Sequence, residues 1–172
     1  MLRFRKWQFS VAAAASVFHD ALMVLAFFAL LPGILPFPIE IDQHFIAAVL
    51  TVMGYSINDT VVIFDRIREY LRENPDKDQA TVINYAINST LSRTVITSGI
   101  TFLTVLVLFI FGGEVLRGFS FALLIGILLG TYSSIFIATP LVVDLAKGDT
   151  LRTPDLKEVI GAGDTEAATS KV

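Results

Sequence analysis

The chain has 172 residues, is 54% hydrophobic and only 17% charged, and carries a net charge of −3; soluble domains carry roughly 25% charge. That balance points to one membrane-embedded domain. It offers no basic stripe of the kind nucleic acid needs, and the absence of cysteine excludes disulfides, thiolate catalysis and cysteine-based metal sites. His19 and His44 are far apart, so no metal-ligand cluster is expected.

A spanning helix needs about 20 mostly apolar residues. The first candidate runs from about Phe9 to Leu31 and stops at "LPGILPFP", whose prolines break a helix. Its basic start resembles a signal peptide. The apolar stretch is too long for one, however, and no small-residue cleavage site ends it. The second candidate covers about 43–64, and "DRIREYLREN" can extend it beyond the membrane as far as Asn74-Pro75. Asp78 is placed to cap a new helix in which Ile83, Ile87 and Leu91 form an apolar stripe, able to lie on the membrane surface before entry. The third span covers about 94–111 and ends at Gly112-Gly113; the fourth covers about 119–143. Residues 65–93 are left as a loop between spans, and 147–172 as a polar, disordered tail.

Arg3, Arg5 and Lys6, then Arg66, Arg68, Arg72, Lys77 and Arg93, then Lys147, Arg152, Lys157 and Lys171 fall in alternate connections. The opposite connections hold only Arg117. Both termini are therefore expected on the cytoplasmic side. The expected fold class is all-α: a polytopic transmembrane bundle of four spans.

Asp20, Asp59 and Arg93 fall inside or at the edge of these spans. A charge there costs roughly 2.5–3.5 kcal/mol on insertion scales and is functional by default. Asp59 lies six residues before Asp65, so roughly 9 Å from the border at the helical rise. Asp20 lies near the middle of the first span, beside His19. In the third span Ser89, Arg93, Thr97, Thr101 and Thr104 share one face, and in the second Thr51, Tyr55 and Asp59 do, flanked by Ser56 and Asn58. Two such stripes bond better with each other than with lipid. In the fourth span Ala122, Gly126, Gly130, Ser134 and Ala138 recur every four residues, a small-residue surface for packing a neighbouring helix. Pro140 is placed to bend its inner end.

Plainer readings stand beside these. Asp59 can be a structural carboxylate satisfied by neighbours. Arg93 can snorkel to head groups. The threonines can bond to their own helix. Asp20 is evenly balanced between the two roles.

"GYSINDTVVIFDRIRE" (54–69) and "INSTLSRTVITSGITFLTVLVLFIFGG" (87–113) closely resemble the SecD/SecF family of bacterial protein-export membrane proteins, the SecF branch in particular, as does His19-Asp20. The family belongs to the resistance-nodulation-division superfamily of proton-driven transporters. The resemblance covers roughly 1–146 and implies the last four of six spans, hence a piece of a longer chain or the end of a fused SecDF. It implies that Asp59 of "NDT" carries protons and that Arg93 of "SRT" is its charge partner, with Asn58, Asp20 and Thr97 completing the relay. It also implies a bacterial inner-membrane location, SecD, the SecY translocon, membrane lipid and exported unfolded polypeptide as partners, protons as coupling ion, no cofactor and no enzymatic step. Rival readings are a lipid or small-molecule exporter of the same superfamily, a structural scaffold, and an intramembrane aspartyl protease using Asp20 and Asp59. The last would need a GxGD pattern within a span, and the chain's one match, Gly161-Ala162-Gly163-Asp164, lies in the polar tail.

Overall fold

The computed structural model describes residues 7–37 and 39–146, and all regular structure there is helical. Helix α1 is Trp7–Leu30, α2 is Gln43–Glu73, α3 is Gln79–Phe111 and α4 is Gly113–Ser133. A π-helical turn, Ser134–Ala138, joins α4 to the short α5, Thr139–Leu145. Four helical rods, the last running continuously over Gly113–Leu145, are long and apolar enough to cross a membrane. The tail 147–172 and the terminal basic residues lie outside the described residues.

The helix ends follow from local chemistry. Asp42 caps α2: its Oδ1 accepts from the Phe45 N–H at 2.9 Å, and His44 Nδ1 lies 2.7 Å from Oδ2. The His44 hydrogen bond, then the Phe45 amide, hold this exposed carboxyl below its usual range. Asn74 ends α2 by folding its amide back to the Tyr70 carbonyl. Asp78 then caps α3 through the Thr81 N–H at 3.1 Å. The extension of α2 as far as Asn74-Pro75 and the new helix after Asp78 are present as expected: within 65–93 only 74–78 leave the helical path, and α3 runs unbroken from Gln79 into the third span. At the opposite end, Gly113 reverses the chain with φ +77°. A Cβ on Gly112 would come within 2.4 Å of the Leu108 carbonyl oxygen.

Pro140 cannot donate to the carbonyl four residues back, and its ring crowds that carbonyl. The backbone widens into the π turn immediately before it. Thr139 then donates its hydroxyl to the Ser134 carbonyl at 3.2 Å. The bend expected at Pro140 therefore takes the form of a π turn, a feature frequent at functional sites.

Helices α2 and α4 form the central pair, with α1 and α3 on opposite sides of it. The small stripe of α4 makes this pairing close. A Cβ on Gly126 would stand 2.1 Å from Val52 Cγ2, and one on Gly130 would stand 3.2 Å from Ser56 Cβ. Between helices in lipid, packing of this kind replaces the hydrophobic drive.

The core is layered. One apolar cluster joins Phe9, Ala12, Ile63, Phe64, Ile67, Val82, Ala86, Ala138 and Val142 near the chain's α2–α3 turn. A second joins Val24, Phe28, Phe45, Ala48, Val52, Val105, Ala122 and Ile127 at the other end. Phe37 of the α1–α2 connection caps this second cluster, with ring centroids 5.5 Å from Phe109 and 5.4 Å from Phe121. Each of the four rods leaves one cluster, crosses a polar middle and enters the other.

Candidate functional site

The polar middle is built from one or two turns of every rod. Buried there are Ser16 and Asp20 of α1, Ser56, Asp59 and Thr60 of α2, Thr90, Thr94 and Ser98 of α3, and Ser133 and Ser134 at the α4–π junction. Between two apolar clusters these groups have no bulk water to bond, so each must find a protein or water partner.

Asp59 stands where α2, α3 and the π turn meet, 9% exposed. Its Oδ1 accepts from Thr94 Oγ1 at 3.0 Å and its Oδ2 from Ser134 Oγ at 2.8 Å. One turn away a second set follows: Tyr55 and Thr131 both donate to Ser98 Oγ, at 3.1 and 2.7 Å. Among the described residues, Asp59 thus has hydroxyl partners only. A hydroxyl both donates and accepts. Ser134 Oγ also lies 3.1 Å from the Thr131 carbonyl oxygen. If Asp59 takes a proton, it can donate to Ser134, whose own hydrogen turns to that carbonyl. The same atoms satisfy either state with little movement.

Asp20 is fully buried on the other flank of α2. Its Oδ2 accepts from Ser56 Oγ at 2.5 Å, and its Oδ1 lies 3.2 Å from His19 Nδ1.

Arg93, Asn58 and Thr97 are exposed. Among the described residues no hydrogen bond or salt bridge joins Arg93 to Asp59. Arg93 precedes Thr94, and one residue turns a helix by about 100°, so the neighbour and not the arginine faces inward. Arg66 Nε donates to Ser89 Oγ at 3.3 Å across the antiparallel α2–α3 pair. Counting one turn at a time from that contact sets Val62 level with Arg93 and Asn58 level with Thr97. The three therefore line an outer seam. At its end a cleft of about 400 Å³ is walled by Val62, Asp65, Arg66, Glu69, Ser89, Thr90 and Arg93. The threonines of this seam spend their hydrogens at home: Thr97, Thr101 and Thr104 donate to carbonyls of Arg93, Thr97 and Ile100. The polar face on α3 expected to line the interior is thus the outer one, and the inner face is Thr90, Thr94 and Ser98.

Thr94 and Ser98 escaped the sequence reading as inward residues, although they too recur every four positions. Ser134 was read as packing alone. Gly126 and Gly130 pack on Val52 and Ser56, but Ser134, in the same stripe, also supplies a hydrogen bond to Asp59.

Residues 1–148 match the family model described as "Protein export membrane protein SecD/SecF, C-terminal". The chain belongs to the SecD/SecF family. Among SecD/SecF relatives, the protein translocase subunit SecF of Rhodothermus marinus is 61% identical over 145 residues, 84% of this chain and 47% of the relative. That of Koribacter versatilis is 50% identical over 135 residues, 78% of this chain and 32% of the relative. The chain therefore spans half or less of the SecF subunits it matches. The crystal structure of SecDF in its super-membrane-facing form superposes with a TM-score of 0.78 at 40% identity, over 95% of this chain and 20% of that one. As a SecD/SecF member with four apolar rods, the chain is a multi-pass inner-membrane protein.

Proposed function

We propose that this chain is the proton-coupling membrane part of a SecF-type subunit that assists protein export. Asp59 carries the proton, and both termini face the cytoplasm. The observation that carries the reading is a carboxyl at membrane depth held by hydroxyls from two other elements, Thr94 and Ser134. An acid locked to a guanidinium is hard to protonate, whereas one served by hydroxyl rotors is stable either way. Ser134 opens the π turn, so a change at Asp59 acts directly on the irregular part of the fourth rod. Each charge that crosses the membrane gains about 2.3 kcal/mol per 100 mV. That suffices to bias a two-state bundle.

The outer seam fits a partner helix. Arg93, Asn58 and Thr97 present a charge and an amide at membrane depth, where lipid is a poor partner. SecD is the partner assigned to this face, with an acidic side chain opposite Arg93. The exported polypeptide and the SecY translocon are engaged by parts of the assembly beyond this chain. Protons are the coupling ion, with no cofactor and no enzymatic step.

An architectural reading has one observation in its favour: both Asp59 oxygens already have donors. Asp59→Asn in the full-length protein with SecD separates the two. Proton coupling predicts loss of the part of secretion that depends on the proton-motive force, with the complex still assembled. Normal proton-dependent secretion in that variant would sink it.

A further inference from the structure

We propose that the cleft at the end of the outer seam holds the head group of a zwitterionic phospholipid with a primary ammonium, a phosphatidylethanolamine. This goes beyond the proton-coupled reading and does not depend on it. The cleft encloses about 400 Å³ between α2 and α3, within the range of small-ligand sites. It lies at the border of the bilayer, for the apolar run of α2 ends at Phe64 and the charges begin at Asp65. Pockets between spanning helices at this level are places where lipid head groups bind.

The wall carries charges of both signs in a definite order. From the Arg66–Ser89 contact, the antiparallel register sets Arg93 level with Val62, about 6 Å deeper into the bilayer. On the water side of the Arg93 level, Asp65 follows after about 4.5 Å and Glu69 after about 10.5 Å along the axis of α2. The unpaired cation is thus innermost and the carboxylates lie further out. Phosphatidylethanolamine carries the complementary sequence: a phosphate next to its glycerol and an ammonium beyond it. The ethanolamine spacer bridges the offset from Arg93 to the acids.

Both ends of the cleft keep capacity for a ligand. Arg66 is engaged: its Nη1 lies 2.6 Å from Glu69 Oε2, its Nε donates to Ser89, and its Cζ stands 4.8 Å from the centroid of the Tyr70 ring. The Arg93 guanidinium has no hydrogen bond or ion pair among the described residues, so the phosphate belongs there. A guanidinium offers five donors in a planar fork, enough to meet an acid across the seam on one edge and a phosphate in the cleft on the other. Glu69 keeps its Oε1 for the ammonium. Asp65 also holds Arg68 at 3.8 Å, and a carboxylate accepts about four hydrogen bonds in all. The charges select among lipids as well. Arg66, Arg93, Asp65 and Glu69 balance, so a neutral head group leaves the cleft neutral. Phosphatidylglycerol sets an extra negative charge beside the two acids and brings them no cation. Phosphatidylcholine is neutral, but its ammonium has no N–H to donate.

The test is native mass spectrometry of the full-length protein with SecD. The complex is exchanged into detergent containing equal amounts of chain-matched phosphatidylethanolamine, its N-methyl and N,N-dimethyl derivatives, phosphatidylcholine and phosphatidylglycerol. A bound lipid is expected to be retained with a several-fold preference for phosphatidylethanolamine. Retention should fall with each added methyl group, which removes a donor at constant charge. Equal retention across the methyl series overturns the proposal. Glu69→Gln removes a charge facing the ammonium and releases Arg66, so it is expected to move the preference to phosphatidylglycerol. If that variant fails to assemble, Asp65→Asn is read in its place, with loss of the phosphatidylethanolamine preference expected. A preference left unchanged by the variant belongs to another part of the surface and overturns the assignment. So does displacement of the lipid by an equal concentration of soluble glycerophosphoethanolamine, which would make the ligand a soluble one. Normal proton-dependent secretion with Asp59→Asn defeats the proton-coupled reading instead and leaves lipid retention untouched.

Discussion

Helix α3 carries two polar faces of nearly the same composition, and they do different things. The inner one, Thr90, Thr94 and Ser98, points its longer-range hydrogen bonds at α2 and α4 and holds Asp59. The outer one, Ser89, Arg93, Thr97, Thr101 and Thr104, meets mostly its own backbone and the seam with α2. A rotation of one residue separates a face that serves an acid from a face left open at the surface of the bundle. What decides the role of a threonine here is the atom its hydrogen reaches, and periodicity does not report that.

The contrast breaks first at Asp59. Asparagine fits the same space but takes no proton, so Asp59→Asn is expected to abolish the proton-dependent part of secretion in the full-length complex while leaving assembly intact. The outer face should fail differently. Arg93→Ala is expected to leave the helical content and thermal unfolding of this chain unchanged, because the arginine makes no bond to Asp59. In the assembly with SecD it should cost about 3–5 kcal/mol, the penalty for stranding the buried partner of an ion pair. Co-purification with SecD and secretion, measured together, check this. An Arg93→Ala variant that binds SecD and secretes normally would leave the seam without its assigned partner.

Much of the scaffold could be read from residue order. The four apolar runs, the cap at Asp78, the stop at Asn74-Pro75 and the reversal at Gly112-Gly113 are local signals, and local chemistry decides them. The small stripe of α4 was legible as a packing surface because only small side chains leave room for Val52 and Ser56. The site was legible in its acids and illegible in its ligands. Asp20 and Asp59 announce themselves as charges in apolar runs. Their partners are serines and threonines 36, 35 and 75 positions away in sequence, chosen by helix rotation and register. Two stripes of equal regularity on α3 gave spacing no means to choose between them. Arg93 drew attention because of its charge, and charge is the property that keeps it outside the tightly packed layer.

Ser134 sharpens the comparison at intermediate size. Ser134→Ala removes one of two donors to Asp59 and leaves an oxygen unserved, at a cost of about 1–3 kcal/mol. The expected result is a partial loss of proton-dependent secretion together with lower thermal stability. A structural carboxylate would show the stability change without altered dependence on the proton-motive force.

The smallest effect belongs to the outer face. Thr97 donates to the carbonyls of Arg93 and Thr94, within its own helix. Those carbonyls already accept from backbone N–H groups of the next turn, so removing the hydroxyl strands nothing. Thr97→Val keeps the branched shape and is expected to change stability by less than about 0.5 kcal/mol, the usual range for surface substitutions. Thr94→Val, three residues away on the inner face, deletes a donor to Asp59 and should cost several times more. Thermal unfolding of the pair in the same lipid settles the matter. Equal losses would mean that both faces bear on the acid, and that the one-residue rotation between them carries none of the weight given to it.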